Sequence, residues 1–348
     1  MAAIDIISQP AELSFSSSLD DIVVSTSYES VDVVLTIHGD NVIEETLVPD
    51  LAGKIYLSDL SPLAEPYARE HHSVVMNCQF SKNGYSVSIS PVTVLYSKAD
   101  VCDTAEHFLS SHFLTLLDGE KLTGLNRQEA LSAYQANEVE VTAEVVTVLG
   151  EFLTLTAQLS ADATSHGISL FNVSPRKIID AIGLVGGRLL SYTVTAGSRR
   201  QDFRCMTEAI LPEPSLVFVN SFGCEEFLHC NGTLKRSSKF DRQSGRAKSR
   251  LLQYAIIEER QFVANTGWLN DSMADWAEDL FRSDEVYLWN AGRGHEVVIT
   301  DSKSDITNED DELTAYEFTY TYAQRINNVI RRRRASRIFS DTFEAIYN

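Results

Sequence analysis

Cys224, His229 and Cys230 place zinc-type donor atoms within seven residues of chain, a spacing at which thiolates and an imidazole can share a metal. Extended chain alternates its side chains, so the two cysteines fall on one face and the histidine on the other. No second pair stands at ligand spacing, and buried thiols in a sheet fit better than a metal site. The acidic run Asp301, Asp305, Glu309, Asp310, Asp311 and Glu312 offers carboxylates to calcium. Against the EF-hand template it has Lys303 where the second ligand belongs and Ile306 where the sharp turn needs glycine, so a solvated loop is expected, with an irregular cation site as the alternative. Gly183, Gly186 and Gly187 follow a helical pattern and precede a strand pattern. That order is the reverse of a phosphate-cradling loop, and it reads as a helix stop and turn. His71 and His72 open a strand pattern and are read as polar edge residues. The chain has no G-x-S-x-G and no H-E-x-x-H. No catalytic, cofactor-binding or metal-binding residue is therefore singled out, no cofactor is expected, and the expectation is a protein that is not an enzyme. Catalytic groups that meet only in space leave no such mark.

The conspicuous charge feature is basic. Lys235, Arg236, Lys239, Arg242, Arg246, Lys248 and Arg250, offset only by Asp241, carry a net charge of +6 over sixteen residues. With Ser237, Ser238, Ser244, Gly245 and Ser249 interleaved, the stretch reads as a long flexible loop between two strands. A solvated loop, contact with nucleic acid and docking on an acidic protein surface are all open readings. Nucleic-acid binding is disfavoured because Phe240 alone could stack on a base. Docking gains because residues 1–195 hold 9 Lys/Arg against 25 Asp/Glu, within a chain of formal charge −20. A basic loop on the acidic face of the next copy is a heterologous contact, which closes into rings.

The elements that carry these residues are mostly strands. Alternation marks Ile22 to Thr26, Val31 to His38, Val42 to Val48, Ser73 to Ser81 and Tyr85 to Tyr96, with turn dipeptides at Gly39-Asp40 and Asn83-Gly84. A turn and short helix fit Ser58 to His71. A long hairpin is expected from Glu138 to Leu149 and Phe152 to Leu159, a short helix after Ser174-Pro175 ending at Gly183, and another strand at Arg188 to Thr195. Leu211-Pro-Glu-Pro214 reads as a stiff linker. Beyond it, strands precede one amphipathic helix on which Leu269, Met273, Trp276, Ala277, Leu280 and Phe281 share a face, with Asn270 or Asp271 as cap. Strands follow at Val286 to Trp289, Glu296 to Thr300 and Thr314 to Arg325. The fold class is mainly β: tandem antiparallel β-sandwich domains, the last with a single flanking α-helix. The expected divisions are 1–99, 100–211, 212–330 and a basic, amphipathic tail 331–348 opening with Arg331, Arg332, Arg333 and Arg334, a second expected contact.

At 348 residues the chain exceeds one ordinary core, and 44% hydrophobic content argues against extensive disorder. Five cysteines without regular spacing read as reduced thiols. The N-terminus shows neither the charge nor the apolar run of a signal peptide, and no segment approaches membrane-spanning length.

Phe218-Val-Asn220-Ser-Phe222-Gly223 with Glu225-Glu226, the basic stretch after them, and Trp268 to Trp289 ending in Ser283-Asp-Glu-Val286-Tyr287-Leu288 carry a resemblance. Residues 212–330 resemble structural proteins of tailed bacteriophages, of the tail-tube and distal-tail (baseplate or collar) group. The resemblance implies a sandwich flanked by one helix, an extended loop that reaches a neighbouring subunit of a ring, and no enzymatic activity. It also implies synthesis in the host cytoplasm, residence in the virion, and copies of itself and other virion proteins as partners, with neither membrane nor direct nucleic-acid binding. The alternative is a host-surface or glycan-binding accessory that uses the N-terminal sandwiches, where Tyr28, Tyr56, Tyr67 and Tyr85 supply aromatic surface.

Overall fold

The computed structural model describes residues 4–206, 214–247, 250–290, 292–303 and 314–324. The linker residues 211–213, Lys248, the acidic run from Asp305 to Glu312 and the tail with Arg331 to Arg334 lie outside them. The chain is mainly β, built as tandem β-sandwich units, and among the described residues the strand pairs are antiparallel except Leu13–Phe15 with Val92–Leu95 and Glu120–Gly124 with Arg199–Met206.

The first unit comprises β1 (Ile4–Ser8), β2 (Leu13–Phe15), β3 (Ile22–Thr26), β4 (Val31–Ile37), β5 (Asp40–Leu47), β6 (Lys54–Leu57), α1 (Leu60–His71), β7 (Ser73–Lys82), β8 (Tyr85–Ser88) and β9 (Val92–Leu95). One sheet runs β1-β3-β6, the other β2-β9-β7-β4-β5 with β8 on β7. Strict alternation decides the inner face: Val31, Val33, Leu35 and Ile37 of β4 and Val74, Met76, Cys78 and Phe80 of β7 are buried together. The strand expected from Tyr85 to Tyr96 is two strands, divided at Ile89 to Pro91, where proline has no N–H for a ladder. His71 ends α1 and His72 is its cap, at a positive φ of 60°. Neither opens β7.

The second unit comprises α2 (Ala105–Ser111), β10 (Glu120–Gly124), β11 (Ala130–Tyr134), β12 (Glu138–Val146), β13 (Phe152–Ser160), β14 (Ala163–Ser165), β15 (Ile168–Asn172), α3 (Pro175–Ala181), β16 (Arg188–Ala196) and β17 (Arg199–Met206). Its sheets run β10-β17-β16-β12-β13 and β11-β15-β14. β12 and β13 form the expected hairpin, paired from Glu138–Ser160 to Val146–Phe152. The helix stop is at Gly183, with φ 66°, a conformation cheap only for glycine.

The third unit comprises β18 (Ser215–Val219), β19 (Glu225–His229), β20 (Leu234–Ala247), β21 (Arg250–Asn265), α4 (Asp271–Arg282), β22 (Val286–Trp289), β23 (Arg293–Lys303) and β24 (Glu317–Tyr322). Its seven strands run β19-β18-β22-β23-β24-β21-β20. The buried stripe of α4 (Met273, Ala274, Trp276, Ala277, Leu280) packs on Leu216, Phe218, Leu228, Phe262, Val286, Val297 and Phe318 from the sheet. Asn270 caps α4, its side chain accepting from Met273 N at 2.8 Å. Leu117, between α2 and β10, is buried in this same core, so the second unit supplies part of the third unit's interior.

The basic stretch is where the structure departs from the sequence reading. It is not a loop: Leu234 to Ala247 is one strand, paired with the stretch from Arg250 to Ala264 across a single register shift. Its own polar alternation carries no hydrophobic signal. The partner strand, rich in Leu, Ile, Tyr, Phe and Val, has strong β preference and imposes extended structure on it.

Candidate functional site

β24 flanks β21 only from Gln261 to Asn265. Beyond that, the ladder from Ser238–Arg260 to Ala247–Arg250 runs with no third strand among the described residues. Ten residues of β20, Ser238 to Ala247, extend about 33 Å at the usual rise of ~3.3 Å per residue. A two-stranded ribbon is marginal on its own, and this one exposes apolar side chains: Phe240, Leu251 and Leu252 are 45%, 69% and 51% exposed. A one-residue irregularity between Gln243 and Ser244 bends and twists it further.

Of the expected interface residues, Lys235, Arg236, Lys239, Arg242 and Arg246 lie on β20 and Arg250 opens β21. Arg236, Phe240, Arg242 and Arg246 share one face by alternation, and the Arg242 guanidinium carbon stands 5.3 Å from the centre of the Phe240 ring. Lys235, Arg236, Arg242, Arg246 and Arg250 are exposed. The ladder sets Lys239 opposite Glu259.

The turn between β18 and β19 positions the third unit against the other two. Asn220 Oδ1 accepts from Phe222 N at 3.0 Å and Cys224 N at 2.9 Å, and Gly223 takes φ 75°. This locks Phe222 outward into a small core with Phe15 of the first unit and Phe108 of the second, at ring separations of 5.8 and 5.3 Å. Asn220 Nδ2 donates to Leu114 O at 2.8 Å and Lys98 N to Ser221 O at 2.7 Å. A side chain at Gly223 would meet Tyr96 and His72 of the first unit at 3.0 and 3.2 Å. Cys224 packs in this joint and Cys230 in the α4 core. The two thiols thus face different interiors rather than sharing one face, because each lies just outside β19.

A cleft of about 580 Å³ lies between the first and third units. The four Lys and Arg side chains of its lining are each paired with a carboxylate. Asp284 Oδ2 accepts from Arg69 at 3.0 Å and Lys98 Nζ at 2.7 Å, and the Lys98 hydrogen bond holds the Asp284 carboxyl below its ordinary range. Arg293 pairs with Glu225, and Arg282 with Glu278. Asp279 accepts from Ser221 N at 3.0 Å, while burial pushes its carboxyl upward.

Buried between the second and third units is an ion network that no sequence spacing announces. Lys121 Nζ lies 2.7 Å from Glu129 Oε2, outside hydrogen-bond direction for that oxygen, and donates to Phe227 O at 2.8 Å. Thr123 donates to Glu129 Oε1 at 2.7 Å. His229 Nε2 donates to Gln128 O at 2.9 Å, lies 3.5 Å from Glu129 Oε1, and its Nδ1 meets Ser215 Oγ at 2.9 Å. Lys121 also stands 4.4 Å over the Trp276 ring, whose Nε1 donates to Glu226 Oε2 at 2.7 Å. Burial alone would raise the Glu129 carboxyl, but Lys121 and His229 outweigh it and hold it down to about 2. Burial dominates at Glu226 and raises it to about 6, against Lys121, Thr115 and Trp276. These groups are occupied with one another and are enclosed, which suits a joint.

The aromatic residues considered for glycan contact are not gathered. Tyr28 and Tyr67 pack against the first core, while Tyr56 and Tyr85 are exposed on β6 and β8, strands of different sheets. Among the described residues no cluster of His, Cys, Asp or Glu could hold a metal ion, and no helix is long and apolar enough to cross a membrane.

No family model and no curated protein matches the chain. Among solved structures, the crystal structure of Rst D1-D2 is similar over 58% of this chain and 98% of its own, at 11% identity and TM-score 0.25. A calcium-binding mutant of Bacteroides uniformis beta-glucuronidase 2 matches over 50% of this chain and 29% of its own, at 10% identity and TM-score 0.19. A 1.5-MDa bacterial ice-binding adhesin matches over 76% and 92%, at 10% identity and TM-score 0.17. Similarity this slight carries no functional weight.

Proposed function

We propose that this chain is a non-enzymatic structural subunit of a tailed-phage virion, assembling into a ring, collar or tail component through the β20–β21 ribbon of its third unit. Its partners are copies of itself and other virion proteins. The observation that carries the reading is the ribbon: a basic, partly apolar pair of strands about 33 Å long, unflanked among the described residues, on a chain of net charge −20. Such an arm exposes apolar surface and unpaired strand edges, which a monomer ordinarily covers or blunts, and a neighbouring subunit would cover both. The resemblance of residues 212–330 to tail-tube and distal-tail proteins points the same way.

The test shortens the arm without touching the α4 core. Replacing residues 239–259 with Asn-Gly closes the hairpin at the Ser238–Arg260 pair, with a turn suited to two-residue loops. The shortened chain should keep its circular dichroism and melting temperature while losing self-association in light scattering. Full assembly by the shortened chain would overturn the proposal.

A further inference from the structure

The arm needs an acceptor, and one hairpin of the second unit has complementary features. β13 is an outer strand of its sheet, nine residues long, with six of them exposed. Long exposed edges are ready templates for strand addition. At its turn, Val148, Leu149, Phe152 and Val185 are 76%, 86%, 77% and 93% exposed. They form one patch: Val146 pairs with Phe152 across the hairpin, and Val148 Cγ2 lies 2.7 Å from where a side chain on Gly186 would begin. Along the outward face of β12 run Glu138, Glu140 and Glu144, all exposed. From Gln128 to Pro175 the chain has no Lys or Arg, and the neighbouring strand β16 brings Arg188 to this face opposite Val146, beyond the last glutamate.

We infer that the β12–β13 hairpin, with its free edge, acidic stripe and apolar tip, is the surface of a second copy on which the β20–β21 arm docks. The inference rests on the assembly reading above and names the partner surface. The two sides correspond in three respects. β20 is itself an outer strand, so edge can pair with edge through main-chain hydrogen bonds. Arg242 and Arg246 lie four residues apart on one face of β20, as Glu140 and Glu144 do on β12, and both intervals span about 13 Å at the strand rise. Phe240, Leu251 and Leu252 supply apolar surface for the patch at the hairpin turn. Donor and acceptor are different surfaces of one chain, so the contact is heterologous and propagates into a ring or a helical stack.

A charge swap on the intact chain tests this. Glu138→Lys, Glu140→Lys and Glu144→Lys together should weaken self-association at least about ten-fold in sedimentation. Arg236→Glu, Arg242→Glu and Arg246→Glu should do the same, and the six changes combined should restore it. Where the lysine set fails to fold, the Glu→Gln set serves, with weakened association expected and unchanged association overturning the inference. Loss of assembly in the arm set beside unchanged assembly in the β12 set would overturn this acceptor while leaving the arm's role intact. Loss in both sets without rescue in the combination would overturn the direct pairing. A wild-type chain that never self-associates would overturn both readings.

Discussion

Glu226 and Glu129 are both buried, yet their carboxyls sit on opposite sides of the ordinary range, at about 6 and about 2. Glu129 has a cation within 2.7 Å, whereas Glu226 has the Trp276 N–H and a larger share of uncompensated burial. Stability should follow both. Glu226, raised in the fold, contributes stability that is fully present below the unfolded value near 4.5 and lost as pH rises through about 6. Glu129, depressed in the fold, contributes above 4.5 and loses its contribution as pH falls through about 2. The chain should therefore gain stability on mild acidification and lose it in strong acid. Glu226→Gln should abolish the gain between pH 6 and 4.5, a change on the order of 2 kcal/mol at one pK unit per 1.4 kcal/mol, read from denaturant unfolding across that range. An unchanged slope would place the titration elsewhere. None of this could be read from the sequence, because Lys121 and Glu129 stand far along the chain from Glu226 and His229, and the two pairs converge only through packing of the second unit on the third.

Elements with a strict period were legible. α4 announced itself through Met273, Trp276, Ala277 and Leu280 with Asn270 as cap, although Leu269, expected on the same helical face, precedes the cap and bridges Thr314; the β12–β13 hairpin showed through unbroken alternation around Gly150. Short strands such as β10, β11 and β15, and helix α2, were not, since five to seven residues carry too little pattern to separate from loop. The basic strand β20 was misread for a different reason: its pairing is dictated by β21, and a polar strand beside an apolar one shows no period of its own. Trp276 shows how much depends on α4. It is fully buried against Phe218 and Lys121, so Trp276→Ala should cost about 3–5 kcal/mol and remove the indole donor from Glu226. Calorimetry of the variant checks this, and a loss within ~0.5 kcal/mol, typical of surface sites, would mean that the helix is not the centre of the third unit.

At the scale of the molecule, the three units meet at Phe15, Phe108 and Phe222. The turn that carries Phe222, Asn220-Ser-Phe-Gly223, makes its contacts inside the chain. The surface left for external contact divides by sign, with net +6 between residues 235 and 250 and nearly all of the remaining excess negative. Copies of a −20 chain repel at long range, but near 0.1 M salt the screening length is ~10 Å, leaving short-range pairing of arm and hairpin to decide association. Sedimentation velocity of the intact chain at that ionic strength, across a wide concentration range, is the most direct measurement. Assemblies of more than two 38.7 kDa protomers are expected, as a closed ring at a fixed multiple or as a longer stack that grows with concentration. A single 38.7 kDa particle at every concentration would contradict this expectation.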